Sequence, residues 1–327
     1  MICRRTFLKA TSASALTTLC TRASAQSAWP AKPIRFLVGF APGGASDLLA
    51  RLLGNEIGRE LGTPVVIENK PGMAGSIAAE ATAKSPGDGY TILLGTPGME
   101  IFNPMLYERL PYDAMKDFAP ITLIVRIPNL LVVHRSVPVQ NVAQLIAYAK
   151  QNPGRLNYAS NGNGSASHLA VELLKSAAGI DMVHVPYKGS GPAVADLSEG
   201  RVHVGMDSFT ALYPQVQAGK LHALGVSTLQ RVSWYPDIPA IAETLPNLEA
   251  SSFIYVTSPA GTPPAIVARL NTALHHAVQK PEVQGRLRDL GMTPALGTPQ
   301  DLHDALAAER TKWRPVIEAN RAALAVR

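Results

Sequence analysis

Cysteine is nearly absent. Of 327 residues only Cys3 and Cys20 carry a thiol, and both lie in the first twenty. The rest of the chain therefore has no disulfide framework, no thiol nucleophile and no cysteine-based metal site. Long apolar runs are missing as well: nothing after residue 25 approaches the roughly 20 residues that a membrane-spanning helix needs. Metal-ligand spacing is also lacking. There is no H-E-x-x-H, His275 and His276 are adjacent and would face different sides of a helix, and His184 and His203 alternate with apolar residues in strand-like runs. Nucleotide-binding loops of the G-x-G-x-x-G or G-K-[ST] kind do not occur, nor does the G-x-S-x-G elbow of hydrolases.

A strong charge is missing once the N-terminus is set aside. The formal net charge is +6, but Arg4, Arg5, Lys9 and Arg22 fall in a leader-like segment that holds no acids; the remainder carries 26 basic against 24 acidic residues, or +2. This balance gives no argument for nucleic acid as a partner. The leader reads as a signal peptide over residues 1–25. It has a twin-arginine n-region (Arg4-Arg5-Thr6-Phe7-Leu8-Lys9), a small-residue apolar stretch over 10–19, and Ala23-Ser24-Ala25 before a cut at Gln26. Thr17-Thr18-Leu19 is a poor lipid-attachment box for Cys20. The expected product is an exported protein of the periplasm.

What is present is an alternation of strand and helix patterns, and the stretch over 34–53 sets the theme. Phe36, Leu37, Val38 and Phe40 suit a buried parallel strand. Pro42, Gly43 and Gly44 break it, Ser46 and Asp47 suit a helix start, and leucines then recur at helical spacing. Such a turn aims free N–H groups at whatever lies above the sheet and favours an anion there. Further strands are expected over 65–69, 90–94, 121–125, 130–134, 156–160, 182–185, 202–206, 224–227 and 253–257. Helices are expected over 75–84, 142–150, 167–178, 193–199, 212–218, 265–278, 283–290 and 301–323, with 104–120 as a connector. The order predicts α/β units with ligands beyond the carboxyl ends of the strands. The three C-terminal helices are expected to pack back on the first unit, so that the chain crosses twice and makes a hinge.

Other constellations stand out. Ser160-Asn161-Gly162-Asn163-Gly164-Ser165-Ala166-Ser167-His168 is a strand–loop–helix turn that can form a nest of N–H donors. His168 reads as a packing histidine rather than a base. Tyr187 and Lys188 follow another strand, and Asp207 ends a third; each suits either a ligand contact or an ordinary turn.

Taken in order, several segments resemble the Bug-type extracytoplasmic solute receptors, the binding components of tripartite tricarboxylate transporters. They are Trp29-Pro30-Ala31-Lys32-Pro33-Ile34-Arg35, Pro42-Gly43-Gly44-Ala45-Ser46-Asp47, Val65-Val66-Ile67-Glu68-Asn69-Lys70-Pro71-Gly72, Asp88-Gly89-Tyr90-Thr91, Leu110-Pro111-Tyr112-Asp113 with Asp117-Phe118-Ala119-Pro120, Leu156-Asn157-Tyr158-Ala159-Ser160, His184-Val185-Pro186-Tyr187-Lys188-Gly189 and Pro259-Ala260-Gly261-Thr262-Pro263. The resemblance covers about residues 29–315. It implies an α/β, two-lobed periplasmic binding protein (type II-like), each lobe a mixed, mostly parallel sheet flanked by helices. Lobe 1 would span 26–125 plus 247–327 and lobe 2 126–246. The implied function is capture of a small carboxylate for membrane transporter subunits, by a monomer with no cofactor, no metal and no catalysis.

Carried over to this chain, the first lobe would offer Pro42, Gly43, Gly44, Ser46, Asp47 and Thr96. The second would offer Ser160, Asn161, Gly164, Ser165, His168, Tyr187 and Asp207. Pro97-Gly98-Met99-Glu100 departs from the family pattern. Glu100, facing in, would repel a second carboxylate, and Met99 would favour an apolar or aromatic ligand body. Asp207-Ser208-Phe209 leaves an amine-bearing ligand open. Asp47 is expected to order its turn or hold a bridging water, since it would repel an acid directly. Two other readings stay open: the same binding fold feeding a sensor kinase, and a hydrolase using Ser165.

Overall fold

The computed structural model describes residues 29–187, 189–319 and 321; the expected leader over 1–25 and Lys188 lie outside the described residues. Apolar runs bracketed by glycine and proline become strands, and the amphipathic stretches between them become helices. The chain begins β1 (Ile34–Val38), α1 (Ala45–Leu61), β2 (Val65–Asn69), α2 (Ser76–Ala83), β3 (Thr91–Gly95), α3 (Asn103–Leu106) and β4 (Phe118–Ile127). It continues with β5 (Asn129–His134), α4 (Val142–Gln151), β6 (Asn157–Ser160), α5 (Ala166–Ala178), β7 (Val183–Pro186), α6 (Ser190–Ser198), β8 (Val204–Ser208), α7 (Phe209–Gln217) and β9 (Leu221–Val226). It ends with β10 (Ser252–Pro259), α8 (Pro264–Gln279), α9 (Pro281–Asp289), β11 (Thr293–Pro294) and α10 (Pro299–Ala319).

These strands form two sheets, ordered β11-β4-β10-β3-β1-β2 and β7-β6-β8-β5-β9. Both are mixed. β2-β1-β3 and β7-β6-β8 are parallel, while every other neighbouring pair is antiparallel. The two-lobed α/β class stands, with a smaller parallel share than the sequence suggests. Topology explains this: β4 leaves the first sheet for the second, and β10 returns from the second at that same end, so the two must run in opposite directions, with Ser252 beside Ile127.

The parallel strand β1 is covered on both faces, as its near-continuous apolar run requires. Ile34, Phe36 and Val38 pack with Leu49, Leu53 and Ile57 of α1 and with Leu270 and Leu274 of α8. Leu37 points the other way, as alternation demands, and packs with Leu93, Ala78, Ala79 and Met99. α1 follows the expected helix but buries Leu49 and Leu53, leaving Leu48 exposed.

The chain crosses between sheets at residues 127–129 and again over 227–251, and the two crossings are tied together. The Asn129 amide N–H donates to Ser227 Oγ (2.8 Å), the Asn129 side chain donates to the Ala250 carbonyl (2.7 Å), and Ala250 N–H donates to the Ser227 carbonyl (3.0 Å). Arg126 and Glu249 form an ion pair alongside at 2.7 Å. The last helix, α10, does more than return to the first sheet. Its Leu302, Trp313, Val316 and Ile317 share one core with Phe253 and Tyr255 of the first sheet and with Leu169 and Leu174 of α5 beside the second.

Candidate functional site

Three loops leave the parallel edge of the first sheet side by side. After β1, residues 40–47 turn tightly, with Gly43 at φ +85°. Asp47, only 2% exposed, holds that turn from inside. Its Oδ2 accepts the Gly43 N–H (2.9 Å) and Arg51 Nε (2.9 Å), and its Oδ1 accepts Asn69 Nδ2 (2.9 Å). The Arg51 bond, with help from Gly43 and Asn69 and against the effect of burial, lowers the Asp47 pKa to about 2. This carboxylate is spent on ordering the turn, one of the two roles the sequence allowed. Pro42, Gly43 and Gly44 are exposed and Ser46 is half-buried. α1 then starts at Gly44 with no side-chain cap, so the N–H groups of its first turn remain available to an outside acceptor.

The loop after β3 begins at Thr96, half-buried, whose carbonyl accepts Met99 N–H (3.0 Å) and the Tyr255 hydroxyl (3.2 Å). It continues as a wide π turn over Gly98–Phe102. The loop after β2, the edge strand of the three, reaches back against the loops after β1 and β3. A Cβ on Gly75 would sit 2.3 Å from Met99 Cε, and one on Gly39 2.6 Å from Gly75 Cα, so all three loops interlock with no room for side chains at those points. Gly72, Met73, Ala74 and Gly75 have φ of +128°, +45°, +49° and +93° in succession. For Met73 and Ala74 this left-handed backbone costs about 1 kcal/mol or more each.

The second sheet presents a matching edge. After β6, Ser160 Oγ lies 2.6 Å from His184 Nε2 and also donates to the Gly162 carbonyl at 3.2 Å. Asn161 N–H donates to Ser167 Oγ (2.9 Å), Gly164 N–H to His168 Nδ1 (3.1 Å), and His168 N–H to Ser165 Oγ (3.2 Å). Ser165 is thus the N-cap of α5. The His168 and His184 rings stack at 3.8 Å, and Tyr158 stacks on His184 at 4.9 Å. Burial lowers both histidine pKa values; His184, with His168 beside it, falls to about 4, so the stack is neutral. Tyr187, after β7, is joined to the same knot by its N–H to the Ser160 carbonyl (2.9 Å), while its hydroxyl donates to Asp196 (2.8 Å). Burial and that carboxylate push the phenol pKa up to about 12. Asp207, half-buried at the end of β8, accepts the Ser208 N–H at 2.7 Å. α6 and α7, which start at this edge, have no side-chain cap, whereas α4, which starts elsewhere, is capped by Asn141.

The molecule therefore has two edges, each with glycine-rich turns and uncapped helix starts, joined through a double crossing. Residues 49–321 match the model of the tripartite tricarboxylate transporter family receptor. The chain belongs to that family. The receptor is 35% identical over 298 residues to Protein BugT of Bordetella pertussis, covering 90% of this chain and 91% of that one. Among solved structures it is similar to R. palustris Rpa4515 with adipate (40% identity, TM-score 0.74, covering 89% of this chain and 97% of that one). It is also similar to MatC from Rhodopseudomonas palustris with bound malate (32% identity, TM-score 0.69, 88% and 99% covered).

The receptor's structure places the expected residues in two separate groups. Pro42, Gly43, Gly44, Ser46, Asp47 and Thr96 line one edge. Ser160, Asn161, Gly164, Ser165, His168, Tyr187 and Asp207 line the other. Among the described residues no hydrogen bond or ion pair joins the groups, and Asn161 keeps a side-chain amide with no partner.

Two side chains turn away from where the sequence put them. Met99 is fully buried between Gly39 and Gly75, so it does not face a ligand. Glu100 is 3% exposed and points under the π turn toward Arg310, 3.9 Å away, with its Oε1 unpartnered. Burial raises its pKa to about 7, against the opposing pull of Tyr255 and Arg310. It cannot repel a carboxylate at the edge. The reason is the π turn, which swings 99–102 back into the core instead of continuing along the rim. The hydrolase reading finds no support in Ser165, whose hydroxyl caps α5. Ser160 does meet an imidazole, but it is 1% exposed and already bound within its own loop.

In the sequence, Asn69-Lys70-Pro71-Gly72 figures only as part of the resemblance, and nothing there assigns a site role to the 70–75 loop, Arg51 or Asn103. The dense glycines of Lys70-Pro71-Gly72 and Gly75 were the available signal. A recess of about 630 Å³ lies elsewhere, between residues 101–115 and α10. None of the expected residues lines it. Arg310, Arg314 and Arg321 there are matched by Glu108, Asp113 and Glu318, which gives it no charge preference.

Proposed function

We propose that this protein is a periplasmic receptor that closes two lobes around a small carboxylate and presents it to membrane transporter subunits, with no chemistry of its own. Lobe 1 is 26–125 plus 247–327, lobe 2 is 126–246, and the pivot lies at the paired crossings. The observation that carries this reading is the pairing of the two edges. Each offers backbone N–H donors at glycine-rich turns and uncapped helix starts, together with hydroxyls. A carboxylate is matched by such donors, with ordered waters filling the remaining gaps. Family membership and the adipate and malate bound by two relatives point the same way.

Titration calorimetry of the protein from Gln26 onward against adipate, malate, an aromatic acid and an amino acid tests the reading. Binding of at least one carboxylate is expected. Heat-silent mixing across the whole panel, with a folded protein, overturns it.

A further inference from the structure

We propose that Met73 is a specificity-determining residue, the apolar surface against which the hydrocarbon body of the ligand lies. This rests on the carboxylate reading above and deepens it. The sequence pointed to Met99 for such a role, but Met99 is buried and serves as the wedge that positions the neighbouring loop.

The loop carrying Met73 is held firmly. Its carbonyl accepts Asn103 Nδ2 at 3.1 Å, and the same amide donates to Ser76 Oγ at 2.8 Å. Asn103 and Ser76 are 2% and 1% exposed, and Ser76 meets the Tyr112 hydroxyl at 3.2 Å. At its base, Lys70 N–H donates to the Val38 carbonyl at 2.8 Å, and Gly75 is locked against Gly39 and Met99. With the backbone fixed and its carbonyl drawn inward, the Met73 side chain is left standing out, 48% exposed.

Folding gives no reason for a methionine here. The side chain is not buried, and glycine would adopt φ +45° without strain. A strained, over-determined position that presents an exposed thioether beside a turn of uncapped N–H groups is the pattern of a binding residue. Gly43, Gly44, Ser46 and Thr96 on that edge are small or polar; the other large apolar side chains exposed near it, Leu48 and Ile77, sit on regular helix, not on a strained turn. Methionine is suited to the task because its unbranched, polarisable chain adapts to methylene groups of varied length. The preferred ligand is then an acid with a hydrocarbon body rather than a short hydroxylated one.

Adipate and malate separate the two cases, since one has four methylenes between its carboxylates and the other a single methylene and a hydroxyl-bearing carbon. For Met73→Gly, calorimetry should show adipate affinity falling at least tenfold, about 1.4 kcal/mol, with malate affinity unchanged within threefold. Met73→Leu should keep adipate within threefold of the parent, and both variants should retain the parent's thermal transition. Equal losses for both acids, or no loss for either, overturn the proposal while leaving the carboxylate reading in place. A parent protein that binds neither acid overturns this proposal, and silence across the full panel above overturns the carboxylate reading as well.

Discussion

Asp47 and Glu100 are two buried acids of one lobe with opposite electrostatics, and the sequence alone could not tell them apart. Asp47 meets three donors and stays ionised; Glu100 is buried with only Tyr255 and Arg310 to offset its desolvation and stays protonated until about pH 7. Replacing Asp47 with alanine leaves Gly43 N–H and Arg51 without their acceptor. The expected result is a loss of about 1–3 kcal/mol in stability, a folded protein, and weaker carboxylate binding by calorimetry. Tighter binding would show that Asp47 chiefly repels the ligand. For Glu100 the folded pKa is raised above its ordinary 4.5. Its contribution is therefore fully present below about pH 4.5 and is lost as pH rises through 7, up to about 3 kcal/mol. The stacked histidines have the opposite sign: their folded pKa values are lowered, so stability falls as pH drops below 6.5 toward the value of about 4 for His184. The two windows overlap between about pH 4.5 and 6.5, where the effects oppose each other. In thermal midpoints compared with the parent's from about pH 4 to 8.5, Glu100→Gln should remove a fall between about pH 4.5 and 7, and His184→Gln a rise between about pH 4 and 6.5. Which way a side chain faces depends on turns that only the folded chain defines, which explains why Glu100 and Met99 do not face the edge as expected, while Asp47, with Gly43 and Arg51 within one helical turn, takes one of the two roles its sequence allows.

At the level of elements, most of the fold was legible because its strands are short apolar runs closed by Gly, Pro or Asn, and its helices have one clear apolar stripe. β1, β2 and β5 fall where their residues say, as do α2, α4 and α5, within a residue or two. The π turn and α3 were not legible, since Pro97, Gly98 and Pro104 read as connector; Pro104 is tolerated because it occupies the first turn of α3. β11, two residues long, owes its existence to β4 alone, through Thr293 beside Arg126. Close contacts between elements were invisible as well. Gly95 of β3 pairs with Tyr255 of β10, and a Cβ there would lie 2.1 Å from the Tyr255 ring. Tyr255 is fully buried and its hydroxyl holds the Thr96 carbonyl, so it has nowhere to go. Gly95→Ala should therefore destabilise the protein by about 1–3 kcal/mol, measured by urea unfolding, and should also displace the loop that starts at Thr96. A stability change below a few tenths of a kcal/mol would mean that the β3–β10 pair is more yielding than its geometry indicates.

At the scale of the whole molecule, the two edges are useful to each other only if the lobes move. A ligand shifts an equilibrium between open and closed forms only by binding one form better than the other. Contact with one edge alone would leave that equilibrium unchanged, whereas contact with both must favour closure. The connections allow a pivot. Asn129, Ser227 and Ala250 fasten the two crossings to each other, and α10, packed on β10 and on α5, constrains the motion from outside. On the proposed lobe closure, relative motion would be a rotation about this seam, not a free separation. The lack of cysteine beyond residue 20 makes the motion measurable, because introduced thiols in the protein starting at Gln26 would be the only ones. Leu48 and Asn163 stand exposed on the two facing edges, and among the described residues neither side chain makes a hydrogen bond. In a Leu48→Cys, Asn163→Cys protein carrying spin labels, adipate should shift the distance distribution to shorter values, to an extent that tracks occupancy. The Met73→Gly variant should need at least ten times more adipate to reach the same shift. A distance unmoved by adipate that calorimetry shows to be bound would mean that the ligand sits on one lobe alone, and that the seam does not act as a hinge.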